Sequence, residues 1–138
     1  MEIKNKRVVV TGAASGIGKA LCEAFQETEV QSIVCVDVNL DGAKETADSV
    51  GGIAVQANVG QEPDIISVIE QANSLSGGID IFCSNAGIGG VPGFFELETS
   101  DWQNIWEVNV QSHIFAAKHV LPQMLDRGEG YLMSTASA

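Results

Sequence analysis

The segment Thr11-Gly12-Ala13-Ala14-Ser15-Gly16-Ile17-Gly18 constrains this chain more than any other. It follows Val8-Val9-Val10, a β-branched run suited to a strand buried on both faces. A helix-like stretch from about Ile17 to Phe25 comes next, with Leu21, Ala24 and Phe25 as its apolar face. Glycines also punctuate ordinary loops, but between a buried strand and an amphipathic helix each has a distinct task. Gly12 permits the tight turn, Gly16 lets backbone approach a pyrophosphate, and Gly18 lets helix pack closely on strand. The unpaired N–H groups and dipole of the helix terminus favour anionic charge there, and Ser15 can add a hydroxyl. Ile17 completes the turn. A P-loop is excluded, because no Gly-Lys-Ser/Thr follows and Lys19 precedes Ala20.

Strand and helix signals continue to alternate. Ile33–Val36 reads as a second strand ending at Asp37, and Asp41 to about Val50 as a polar helix stopped by Gly51-Gly52. Ile53–Val55 is a third strand, and Pro63 to Leu75 a helix with Ile65, Ile66, Val68 and Ile69 on its apolar side. Ile79–Cys83 is a fourth strand, followed by a Gly/Pro-rich loop over about 85–94. From Ser100 a long helix is expected, with Trp102, Ile105, Trp106, Asn109, His113, Ala117 and Val120 at spacings of three and four; Pro122 marks a kink or its last turn. Tyr131-Leu132-Met133 begins a fifth strand. This order predicts right-handed βαβ crossovers and one α/β domain over residues 1–138, a doubly wound parallel sheet with ligands at the carboxyl ends of its strands.

Composition narrows the function. Apolar residues make up 45% and charged residues 18%, which suits a packed globular chain. A formal net charge of -11 opposes nucleic-acid binding, since the few Lys and Arg are dispersed apart from Lys4–Arg7. No apolar run approaches the roughly 20 residues of a membrane span. The charged start, Met1 to Arg7, lacks the apolar core of a signal peptide, so a cytoplasmic location is expected. Cys22, Cys35 and Cys83 are scattered and read as reduced core thiols, and no cluster has metal-ligand spacing.

Four motifs in order carry a family resemblance. The TGxxxGxG turn, Ser84-Asn85-Ala86-Gly87 after the fourth strand, Val108-Asn109-Val110 in the long helix and Gly130–Ser137 together resemble the short-chain dehydrogenase/reductase family from about Lys6 onward. Ser84 stands where that family's NNAG motif has its first Asn, and Asn58-Val59 where it often has Asp-Val. The resemblance implies a Rossmann-type sheet of order 3-2-1-4-5. It further implies NAD-linked interconversion of a secondary alcohol and a ketone. Catalytic roles fall to Ser137, which would hydrogen-bond the substrate oxygen, and to Asn109, which would hold a water of a proton relay in a kinked helix. Gly12, Ser15, Gly16, Ile17, Gly18, Asp37, Asn58, Val59, Asn85, Ala86 and Gly87 would bind the cofactor. A homo-oligomer built through the long helix is implied as well.

Asp37 selects between cofactors. A carboxylate 19 residues after Gly18 can accept from adenosine ribose hydroxyls and would repel a 2′-phosphate, so NAD is expected over NADP. The competing reading is a turn-forming Asp. Asn58 keeps an acceptor for the adenine amino group, or is a surface turn residue. Asn109 on an apolar stripe is expected to be buried, where an unpaired amide costs roughly 1–3 kcal/mol. His113 and His119 read as surface or packing residues. The family's Tyr-x-x-x-Lys has no counterpart before Ala138, since Tyr131 is followed by Leu132–Thr135. The chain is therefore expected to be the cofactor-binding part of a longer enzyme and inactive alone, or else a truncated nucleotide-binding or subunit-interaction module.

Overall fold

The computed structural model describes residues 2–89 and 94–136. β1 (Arg7–Thr11), α1 (Gly16–Glu27), β2 (Ser32–Asp37), α2 (Leu40–Val50), β3 (Ile53–Gln56), α3 (Glu62–Ser76), β4 (Ile81–Ser84), α4 (Thr99–Trp106), α5 (Ser112–Arg127) and β5 (Tyr131–Ser134) succeed one another. The sheet is parallel throughout, in the order β3-β2-β1-β4-β5 expected from the alternation and the resemblance.

Both faces of the sheet are covered, which is why its strands read as continuous apolar runs. Val9, Val34 and Phe82 face α3 and α5, where Ile65, Val68, Val120 and Met124 meet them. Val8, Val10, Ile33, Cys35, Ile81 and Cys83 face the opposite way, with Cys22 of α1 and Ala47 of α2. Full burial of each Val, Ile or Phe side chain stabilises by roughly 1.5–3 kcal/mol. Helix ends follow local chemistry: Asn39 caps α2 by accepting from the Gly42 N–H at 3.2 Å, and Gly51 ends it at φ 65°.

Some expectations require correction. On α1 the inward face is Gly18, Leu21, Cys22 and Phe25, at spacings of three and four, while Ala24 is exposed. β4 runs from Ile81 to Ser84 and so starts two residues later than expected, and the Ile79 carbonyl ahead of it accepts from the Arg127 guanidinium. The long helix is interrupted by a π-helical turn at Glu107–Gln111, and Pro122 lies inside α5, which continues to Arg127. Its buried side is Val108, Ser112, Ala116, Val120 and Met124; Trp102 and Trp106 are exposed.

At the amino ends of β1 and β4, Asp80 is nearly buried, with 7% exposure. Its Oδ2 accepts from the Arg7 backbone N–H (2.9 Å) and Nε (2.7 Å), and its Oδ1 from Arg7 Nη2 (2.6 Å). Arg127 Nη2 stands 3.5 Å from the same Oδ1. His119 and Lys118 of α5 each lie 2.7 Å from Glu62 Oε1 at the start of α3, so His119 is a helix-packing residue as expected.

Candidate functional site

The sheet order reverses between β1 and β4, and the motifs gather at the carboxyl ends of those strands. Gly12 (φ 70°) turns the chain out of β1 beside the backbone of Ala86, and α1 starts at Gly16 (φ 53°) with its first N–H groups lacking helical acceptors. Ser15 and Ile17 are exposed at this terminus, and the Ser15 side chain makes no capping bond. The turn is pinned on three sides. Ala13 N donates to Val36 O at 3.0 Å, Ala14 N to Asp37 Oδ2 at 3.0 Å, and the buried Thr46 hydroxyl to Ala13 O at 2.8 Å.

A cleft of about 310 Å³ opens beside the turn, with Gly12, Asp37, Asn58, Val59, Ala86 and Gly87 among its walls. Asp37 brings the only formal charge to the described lining. Its Oδ1 also accepts from Asn39 N at 2.9 Å, so the turn-forming role weighed for it is real and coexists with its place on the cleft. Asn58 likewise uses Oδ1 on Gly60 N at 3.0 Å while lining the cleft, and Val59 is buried against the core.

A second cleft, of about 600 Å³, shares Ala86–Ile88 with the first and reaches Asn85, Asn109, His113 and Ser134–Ala136. Thr11 and Asn85 join the strands behind it. Thr11 Oγ1 accepts from Asn85 N (3.0 Å) and Ala86 N (3.1 Å), and Asn85 Nδ2 donates to Thr11 O (3.1 Å). Thr135 Oγ1 donates to Asn85 Oδ1 at 2.9 Å, which carries the tie to β5. The Asn85 side chain, at the end of β4, thus links β1 to the residue that follows β5.

Asn109 sits in the π-helical turn, so the interruption falls at the residue singled out for it. Contrary to expectation the residue is exposed, yet its amide is satisfied. Nδ2 donates to Ile88 O and Oδ1 accepts from Ile88 N, both at 2.9 Å. This clasp holds the 85–89 loop against the helix. Ser137 lies outside the described residues.

Sequence reasoning missed Thr46, Thr135 and the contact of His113 Nδ1 with Ser134 Oγ at 3.0 Å. Each joins residues at least 21 apart, and no local pattern announces such a pairing. Thr11 was visible in the glycine motif but carried no assigned role. Among the described residues no group of three His, Cys, Asp or Glu could hold a metal ion, and no helix is long and apolar enough to cross a membrane.

An anion-ready helix terminus, a carboxylate at the end of β2 and two joined clefts form a cradle that fits a dinucleotide. Comparison with known proteins agrees with that shape. A family profile described as short chain dehydrogenase matches residues 6–138. Cyclohexanol dehydrogenase of Acinetobacter sp. (strain SE19) is 32% identical over 99% of this chain and 56% of its own length. The 7alpha-hydroxysteroid dehydrogenase of Escherichia coli (strain K12) is 31% identical over 99% of this chain and 55% of its own. A short chain dehydrogenase/reductase from Burkholderia phymatum, solved in complex with NAD, superposes with a TM-score of 0.94 at 26% identity, over 99% of this chain and 50% of that one. The chain spans about half the length of the relatives it matches. With the fold, the order of its motifs and the profile in agreement, it belongs to the short-chain dehydrogenase/reductase family.

Proposed function

We propose that this chain is the cofactor-binding part of an NAD-dependent oxidoreductase that interconverts a secondary alcohol and a ketone. The observation that carries the cofactor choice is Asp37, whose carboxylate lies at the end of β2 on the rim of the first cleft. There it can accept from two ribose hydroxyls, and its charge opposes a 2′-phosphate. The nicotinamide supplies the hydride acceptor or donor when bound. Gly12, Ser15, Gly16, Ile17 and Gly18 offer backbone and hydroxyl donors to the pyrophosphate. Asn58 and Val59 border the adenine end, and the backbone of Asn85, Ala86 and Gly87 runs along the middle. Ser137 holds the substrate oxygen by its hydroxyl as charge develops. Asn109 fixes the loop between the clefts and supports proton relay.

The exposed Trp102, Trp106, Ile114 and Leu125 on α4 and α5 support self-association through this face. The acid/base Tyr and its Lys that the family resemblance implies would belong to the part of the relatives' length that this chain does not span. Titration of the whole protein with both dinucleotides tests the assignment. NAD is expected to bind at least about tenfold more tightly than NADP, about 1.4 kcal/mol. A preference of that size for NADP would remove Asp37 from its role, and failure to oxidise any secondary alcohol would remove the reaction.

A further inference from the structure

The second cleft contains a titratable group that the family motifs leave out. His113 follows Asn109 by one helical turn, and both line this cleft. Its Nδ1 is 3.0 Å from the hydroxyl of Ser134 at the end of β5, and Ser134 is exposed to solvent. The remaining described walls, Asn85–Ile88, Val110, Ile114, Thr135 and Ala136, hold no acid or base. From α3, which packs against α5, the carboxylate of Glu62 is engaged by Lys118 and His119, and in the adjoining π-helical turn the carboxylate of Glu107 accepts from Gln103 Nε2. His113 is therefore the one described lining residue able to exchange a proton near neutral pH. Burial lowers its pKa below the ordinary histidine value, which keeps the ring neutral and one nitrogen open to accept.

We propose that His113 is a relay residue of the second cleft, moving the proton released by the alcohol to solvent through the Ser134 hydroxyl. The inference rests on the oxidoreductase reading above. Oxidation of a secondary alcohol sends a hydride, with its electron pair, to the nicotinamide and releases the hydroxyl proton, so one proton must leave per turnover. A neutral imidazole takes up that proton on one nitrogen, by way of water, and gives up the proton on the other. The Ser134 hydroxyl passes it outward, and the ring resets by exchanging tautomers. Ketone reduction runs the same path inward.

The test uses the whole active protein. His113→Asn keeps a hydrogen-bonding group opposite Ser134 but cannot titrate. Its kcat is expected to fall about tenfold above the pH at which the wild-type ring titrates, less than the 10²–10⁴-fold of a direct acid or base. Below that pH the wild-type ring is already charged, so the two rates converge and the acid limb disappears from the variant. KM for NAD stays unchanged, and free imidazole restores part of the rate of His113→Ala. The titration of the ring, followed by its Cε1–H resonance, coincides with the acid limb of the wild-type enzyme. A His113→Asn protein with wild-type kcat and pH profile overturns the relay, as does a ring titrating away from that limb. A wild-type protein that neither binds NAD nor oxidises a secondary alcohol overturns the oxidoreductase reading and the relay with it. Failure of the relay alone shows only in the variants.

Discussion

Gly18→Ala is expected to raise the dissociation constant for NAD at least about 100-fold, about 2.8 kcal/mol, with the sheet still formed. A Cβ at this position would collide with the Gly12 carbonyl oxygen and lie 2.6 Å from its carbon and 2.8 Å from Asn85 Nδ2. The first two atoms are backbone and cannot swing aside, so α1 must move away from β1 or the turn must open. Either motion displaces the helix terminus on which pyrophosphate binding depends. Gly16→Ala provides the contrast. Its Cβ would meet nothing within 4 Å, so the protein tolerates the volume, and the strain comes from φ 53°. Calorimetric titration with NAD beside far-UV circular dichroism checks the result. Wild-type affinity in a folded Gly18→Ala protein would mean that the dinucleotide does not use this turn.

Asp80→Ala is expected to cost about 3 kcal/mol of stability, the lower end for a broken buried ion pair because its arginine partners are partly exposed. The substitution removes every acceptor that Arg7 finds on this side chain and leaves the Arg7 backbone N–H unpaired. Arg7 holds the Asp80 carboxyl below its ordinary pKa, chiefly by hydrogen bonding. A depressed folded-state pKa means the stabilisation is fully present above the unfolded value, about 3.9, and is lost as pH falls through the lower folded value. Denaturant unfolding of wild type and variant should therefore differ most at neutral pH and converge in acid. An equal difference at all pH values would show that packing, and not the ion pair, is responsible.

Much of the fold was legible because it is written locally. The buried strands, the glycine turn and the order of the motifs each occupy a few adjacent residues, and together they predict the order β3-β2-β1-β4-β5. The face of the long helix was not legible, for a definite reason. A stripe drawn from Trp102 to Val120 assumes one uninterrupted period, whereas the π-helical turn at 107–111 admits an extra residue. At about 100° per residue, that rotates everything beyond it onto another face. Val120 stays buried, but Trp102 and Trp106 do not. The site divides in the same way. Gly12, Asp37 and Asn109 stand in recognisable local motifs, while Thr46 on Ala13 and Ser134 on His113 are brought together only by the folded chain.

The central position of β1 also bears on how the protein is made. Val9 pairs with Val34 on one side, but its partner on the other side is Phe82, which follows it by 73 residues. At roughly 5–20 residues per second, a ribosome needs about 4–15 s to add that stretch. Throughout this interval one edge of β1 has no neighbour, and the apolar surface that Phe82 will cover is open to other chains. Parallel sheets with such distant pairings also fold slowly once complete. Yield in the cell should thus depend on the rate of translation through residues 37–84, and slow synthesis there lengthens the exposure to aggregation.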